Sequence, residues 1–295
     1  VNFQDAGAVT IGTVDSVSGI STGGAQVDVS AGGLLTVSNQ VNNTGANAIN
    51  LSGVGVSLGN GASSAVGAST AGKVSIDANG GALSTVASST IASSLGTGLA
   101  IELIGGTMSL LGTTTASGAS GEVHIVAGTT TTNINLGGAG SGGELELSAA
   151  ELNTISADIL EIGDNTTTGA ITLTGAWTPG ATVGDTYLGF ETTGAVTATA
   201  AALTMSTSTG NLVVRAAGAV NLGTAAHDFN TVAVDTSGAG GAANVTINDS
   251  NALTIGSVDG VAGINTSTGS SVDLDAGGLL TVSAASRVIA GGAGT

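Results

Sequence analysis

The chain has 295 residues, with 51 glycines, no cysteine, 2% aromatic residues, and 20 acidic against 3 basic side chains, a formal net charge of −17. Lys73, Arg215 and Arg287 stand far apart, so no basic surface can gather phosphates, which argues against nucleic acid as a partner. No run of eighteen apolar residues occurs, so no transmembrane helix is expected, and the missing cysteines suit a protein that crosses an envelope unfolded.

In chain order, the first recognisable feature is one half of a long internal repeat. Residues 8–25 (AVTIGTVDSVSGISTGGA) align with residues 252–269 (ALTIGSVDGVAGINTSTG) at an offset of 244, and residues 27–38 (VDVSAGGLLTVS) align with 272–283 (VDLDAGGLLTVS) at 245, so that 8–38 matches 252–283. A repeat of this length points to a stacked architecture. Within the block Val27 and Val29 alternate with Asp28, and Leu35 and Val37 alternate with Thr36. Alternation at period two sends both apolar residues to one face of a strand, and Gly32 and Gly33 between the pairs mark a turn. Ile49/Leu51 and Val56/Leu58 repeat the arrangement. Residues 61–98 are lower in complexity, with a unit at Val74/Ile76 flanked by weak strands and turns and room for a short helical stretch. Alternation returns in LAIEL, EVHIV, TNINL and ELELS across residues 99–147. Leu160/Ile162 and Ile171/Leu173 follow with a longer spacer. The segment 176–191 (AWTPGATVGDTYLGFE) departs from the pattern and is expected to be a loop excursion. From Val196 the pairs resume: Leu212/Val214, Val220/Leu222, Val245/Ile247, Leu253/Ile255, Val272/Leu274 and Leu280/Val282.

A core made almost wholly of Val, Ile, Leu and Ala must be thin. Each glycine costs about 0.5–1 kcal/mol relative to alanine, which only an extensive hydrogen-bonded ladder can offset. The expected fold is therefore an all-β solenoid of roughly twelve coils at the residue counts usual for such repeats. Residues 1–295 read as a single solenoid and as a segment of a longer repetitive chain.

Residues 210–223 (GNLVVRAAGAVNLG), 242–264 (AANVTINDSNALTIGSVDGVAGI) and 270–292 (SSVDLDAGGLLTVSAASRVIAGG) give the chain a texture that resembles the repeat regions of filamentous-haemagglutinin-like bacterial surface proteins, of the two-partner-secretion and autotransporter-adhesin type. The resemblance implies a right-handed parallel β-helix serving as an exported, non-catalytic extracellular shaft on the bacterial cell surface. The family's amino-terminal secretion domain is not recognisable here.

Candidate chemistry divides between function and framework. Glu144, Glu146, Glu151, Asp158, Glu161 and Asp164 form the densest acidic stretch and could supply the paired carboxylates of a glycosidase. Alternation with Leu145 and Leu147, however, turns the first two outward as a solvated face. A polysaccharide lyase would need a basic proton abstractor, for which three scattered cations are a poor supply. His124 and His227 lack companions at metal-ligand spacing. The Asp- and Asn-containing segments 77–81 (DANGG), 163–165 (GDN) and 248–251 (NDSN) are a structural-calcium alternative, although turn-forming Asp and Asn side chains explain the same residues; no cofactor is the primary expectation. Asn-x-Ser/Thr sequons at Asn42, Asn50, Asn165, Asn244, Asn248 and Asn265 accompany the general abundance of Ser and Thr. The threonines at 129–132 suggest an ice-binding face, but no regular TxT register persists. Trp177, Tyr187 and Phe190 are the candidate ligand residues, because flat aromatic faces stack on sugars or receptors; the competing reading packs Trp177 inward. The expected partners are a glycan or cell-surface receptor at that loop, and a further copy of the chain, or its own continuation, stacked end to end.

Overall fold

The computed structural model describes residues 1–59, 67–138, 144–166, 169–205 and 210–291. The chain is 59% strand and 1% helix and folds as a parallel β-solenoid of about 11 turns among those residues. It divides into two compact units, Val1–Thr129 with Ala150–Asp158, and Thr130–Ala149 with Ile159–Thr295.

In the first unit three columns of strands stack in parallel. One holds Asn2–Asp5, Val27–Ala31, Ile49–Ser52, Val74–Asp77, Thr97–Gly105 and Ser120–Ala127. The second holds Val9–Ile11, Leu35–Val37, Val56–Leu58, Ala82–Thr85 and Thr107–Leu110. The third holds Ile20–Thr22, Val41–Asn43, Gly67–Thr70, Thr90–Ser93 and Thr113–Ala116. Each apolar pair read from the sequence becomes two inward side chains stacked on the equivalent pair of the next turn: Val27 on Ile49 on Val74 on Ile101 on Val123. All five are fully buried. Within 61–98 the described residues form the strands Gly67–Thr70, Val74–Asp77, Ala82–Thr85 and Thr90–Ser93, in keeping with the weak strands and turns expected there, and the short helical stretch does not occur among them, because inward Leu83 and Ile91 each meet a register partner, Met108 and Thr114. Residues 61–66 of that stretch lie outside the described residues.

The second unit has a seven-stranded column: Leu145–Ser148, Ile134–Gly137, Ile171–Leu173, Val196–Ala198, Val220–His227, Val245–Asp249 and Val272–Ala276. Leu145–Ser148 pairs with Ile134–Gly137 on the side away from Ile171–Leu173, so the chain steps back one strand before the one-turn helix Ala149–Leu152. Beside this column lie the strands Val183–Thr192, Asn211–Ala216 and Thr231–Thr236. The last of these pairs through its first half with Leu253–Ile255 and through its second with Val261–Thr268. The largest fully buried side chains, Trp177, Phe190 and Phe229, all belong to this unit.

The strand ends need a second device, since a backbone turning a corner inside the stack leaves polar groups to satisfy. A short polar side chain supplies it repeatedly. The Thr70 hydroxyl accepts from Gly72 N–H (3.0 Å) and donates to the Asn47 carbonyl of the previous turn (2.9 Å). Ser93 accepts from Leu95 N–H and donates to the Gly72 carbonyl, and Thr192 accepts from Gly194 N–H and donates to the Gly169 carbonyl. These residues are buried and bridge one turn to the next.

Candidate functional site

The repeat seen in the sequence is a repeat in structure. Residues 9–37 and 253–282 follow the same path, strand, hairpin, strand, strand, strand. In the first copy Thr13–Val14 and Val17–Ser18 form an antiparallel hairpin; in the second, Ser257–Val258 pairs with the start of Val261–Thr268. The two-residue corners Asp15-Ser16 and Asp259-Gly260 all have positive φ (47° and 67°, 45° and 75°), the geometry whose twist matches paired strands. Gly19 N–H donates to the Gly12 carbonyl at 2.9 Å, and Gly263 N–H to the Gly256 carbonyl at 2.8 Å. Asp5 accepts from Gly7 N–H as Asp249 accepts from Asn251 N–H. Gly19 and Gly263 also have positive φ (68° and 84°), and a Cβ on either would overlap a carbonyl oxygen of the next turn, that of Gln40 or Arg287.

The second hairpin lies on the outside of the stack. Val258 and Val261 pack on an apolar strip made by Tyr187, Val213 and Ala233, with Ile159 at its margin. The corner is held by Arg215, whose Nη2 donates to the Asp259 carbonyl oxygen at 2.6 Å and to the Asp259 carboxylate, while Nη1 reaches Glu161 Oε1 at 3.5 Å. Burial works against the charged guanidinium, but Asp259 first, then Glu161 and Glu191, more than offset it and hold the Arg215 pKa above its ordinary value. Glu191 and Asp235 are its register neighbours on the two flanking strands. A cation already surrounded by carboxylates fastens a hairpin; it leaves no positive charge to attract an anionic sugar.

The three sequence-predicted ligand residues are brought together in this unit but not as a binding face. Trp177 is buried and bridges in parallel to Leu203, its backbone N–H donating to the Ala202 carbonyl at 3.0 Å. Phe190 is buried in the inward column opposite Val214. Tyr187 points outward and lies under the second hairpin. The excursion expected over 176–191 is shorter than its sequence suggests, because Val183–Thr192 is a ten-residue strand whose second half, Leu188–Thr192, is in register with Leu212–Ala216. Its period-two pair Leu188/Phe190 carries the signal; the unusual aromatic content obscures it.

The acidic residues are spread over separate tasks. Glu144 accepts from Asn133 Nδ2 at 3.1 Å and from Asn135, Glu151 accepts from Leu110 N–H at 3.2 Å, and Glu161 faces Arg215. In each of the three calcium-candidate segments the Asp folds onto its own backbone: Asp77 accepts from Asn79 N–H, Asp164 from Thr166 N–H and Asp249 from Asn251 N–H. Among the described residues no group of three or more His, Asp or Glu side chains could hold a metal ion. The threonines at 129–132 are a turn and loop ahead of Ile134–Gly137 rather than a strand face.

His124 sits outward in register with Glu102. Burial raises the Glu102 pKa, but hydrogen bonds from Lys73 and Ser75 outweigh it and hold the carboxyl below its usual value. His227 is fully buried: its Nδ1 accepts from Leu203 N–H at 3.0 Å, its ring stacks on Phe229 at 5.2 Å, and its Nε2 has no hydrogen-bond partner among the described residues. Burial pushes its pKa down to about 4. The sequence reading missed the two hairpins, whose signal is present: Val-Asp-Gly-Val at 258–261 is a two-residue hairpin signature.

The site and fold define a parallel β-solenoid with a duplicated hairpin coil. No family model, no curated protein and no solved structure matches the chain. No helix among the described residues is long and apolar enough to cross a membrane.

Proposed function

We propose that this chain is a non-catalytic structural shaft, an extracellular adhesive or spacer element of a bacterial surface appendage that lengthens by stacking like coils. The observation that carries the reading is the duplicated coil. One hairpin-bearing turn is built twice, 244–245 residues apart, with the same strands, corners and capping hydrogen bonds. Solenoids grow in this one-dimensional way, each turn contacting only its neighbours. Stacking is reinforced along the outer face, where Gln26 and Asn50 both donate to Asp28, and Lys73 and Ser75 to Glu102. A net charge of −17 opposes lateral clumping, which favours growth along the stack. Adhesion through an aromatic loop draws no support, because Trp177 and Phe190 are core residues. Antibody against residues 1–295, applied to intact source cells and imaged by electron microscopy, is expected to decorate thin surface fibres. Label confined to the cell interior would refute the proposal.

A further inference from the structure

We infer that the first hairpin, Thr13–Ser18, is a docking clasp whose receptor is a second copy of this repeat, namely the turns equivalent to residues 183–236. The inference rests on the duplicated coil and deepens the stacking reading above.

The two hairpins share their corner and differ in what they touch. Val258 and Val261 are 6% and 8% exposed on the Tyr187–Val213–Ala233 strip, whereas Val14 and Val17 are 77% and 71% exposed. Asp259 is clamped by Arg215; none of the ion pairs among the described residues involves Asp15. Two exposed valines flanking an unclamped aspartate are the counterpart of a strip made of Tyr, Val and Ala with an arginine at its margin.

The inner side of the same coil makes the same demand. Beside the first hairpin an open apolar hollow of about 300 Å³ is lined by Val1, Phe3, Ile11, Val14, Val17 and Ile20. Phe3 is exposed and Ile20 half-buried there, whereas their equivalents Ile247 and Ile264 in the second copy are buried, with Leu222 and Val234 of the preceding strands in register against them, as Val232 is against Ile255, the equivalent of the already buried Ile11. Thus one occupant satisfies both faces. Turns like those of 220–236 fill the hollow, and the strip that runs back from Ala233 through Val213 to Tyr187 receives the hairpin. In the second copy the hairpin reaches back over several turns, so docking would also set which turn follows which, a register that bare strand pairing leaves weakly specified.

The test is a tandem chain in which residues 1–244 precede a full copy of 1–295, compared with the single chain. In the single chain Val14→Asp with Val17→Asp should leave the unfolding transition where it is, while Val258→Asp with Val261→Asp should lower it. In the tandem the Val14/Val17 pair, changed in the second copy only, should lower the transition as the Val258/Val261 pair does, and the amides of its Thr13–Ser18 hairpin should gain protection from hydrogen exchange. A chain without cysteine also permits Val213→Cys in the first copy with Val14→Cys in the second, and these should form an intramolecular disulfide under mild oxidation. Association of single chains that is abolished by the Val14/Val17 change would show the same docking made between molecules. Hairpin amides that exchange equally fast in tandem and single chain, with no disulfide and no association, would overturn the inference. The docking result does not depend on location: cell-surface labelling can fail while the tandem clasp forms, and the reverse.

Discussion

The coils at 9–37 and 253–282 are the same piece of backbone in two surroundings. In the first, Leu35 and Val37 are fully buried under the next turn, while in the second their equivalents Leu280 and Val282 are 40% and 48% exposed. The hairpin valines show the opposite difference, exposed in the first copy and buried in the second. Yet φ angles, hairpin corners and capping hydrogen bonds agree. The difference teaches that the local sequence determines the path of the coil, while burial, and with it most of the stabilisation, comes from whichever turn lies above or below.

That division can be broken most forcefully at the core. Ile247→Ala should cost about 2–5 kcal/mol, the usual range for a fully buried large-to-small change, because Ile247 stacks between Leu222 and Leu274. Its equivalent Phe3 is half exposed, and Phe3→Ala should cost less than about 1 kcal/mol. Urea unfolding of both variants checks the contrast; equal losses would mean that burial is not what separates the two coils.

The turn beneath the second coil adds a pH dependence. His227 has a folded pKa of about 4 against an ordinary 6.5, so its depressed value contributes no penalty above pH 6.5. As pH falls from 6.5 towards 4, the unfolded chain binds the proton first and stability is lost, at most about 3 kcal/mol. Asp249 works in the other direction. Burial, ahead of the hydrogen bonds from Phe229 and Asn251, raises its carboxyl pKa, so acid neutralises it earlier in the folded state and returns some stability. His227→Gln should therefore flatten the loss between pH 6.5 and 4 in urea midpoints. A wild-type curve that is already flat there would count against a neutral buried imidazole.

The first two strand columns were legible because Val, Ile and Leu recur at period two, and pairs such as Val27/Val29 and Leu35/Val37 land inward as read. The third column was not, since Gly67–Thr70 and Thr113–Ala116 are built from Gly, Ala, Ser and Thr and carry almost no apolar alternation. Their places are set by parallel pairing in register with Val41–Asn43 and Thr90–Ser93, which no local pattern reports. The aromatic cluster misled for a related reason. Trp177, Tyr187 and Phe190 look alike as a surface patch in the sequence, but their faces are decided by strand parity and by a hairpin seventy residues later. Arg215 gave no signal at all, because its partners Glu161 and Asp259 are far away in the chain.

A smaller effect should be the same in both coils. Gly19→Ala and Gly263→Ala each put a Cβ at positive φ against a carbonyl oxygen of the following turn. The strain belongs to the shared backbone path rather than to the differing surroundings, so both should lose about 1–3 kcal/mol. Parallel thermal melts of the two variants test this. A loss at Gly263 alone would show that even the path of the first hairpin depends on an occupant.

The smallest expected effect concerns the ion pairs that fasten the second hairpin. Arg215 and Asp259 side chains are 26% and 39% exposed, so solvent and salt screen their attraction, and exposed pairs of this kind contribute about 0–1 kcal/mol. Arg215→Gln removes the ion pairs to both Asp259 and Glu161 but keeps a donor near the Asp259 carbonyl. The Val258 and Val261 contacts with Tyr187, Val213 and Ala233 remain. Global stability should then fall by less than about 1 kcal/mol, and the deficit should shrink as ionic strength rises and the Debye length contracts. Hydrogen exchange at Ser257–Val261 is the more sensitive readout, since local opening needs only the hairpin to lift. If those amides lose all protection in the variant at any salt concentration, the clamp and not the apolar strip holds the hairpin. Asp15, without such a clamp, would then need an arginine from its receptor as much as Val14 and Val17 need a strip.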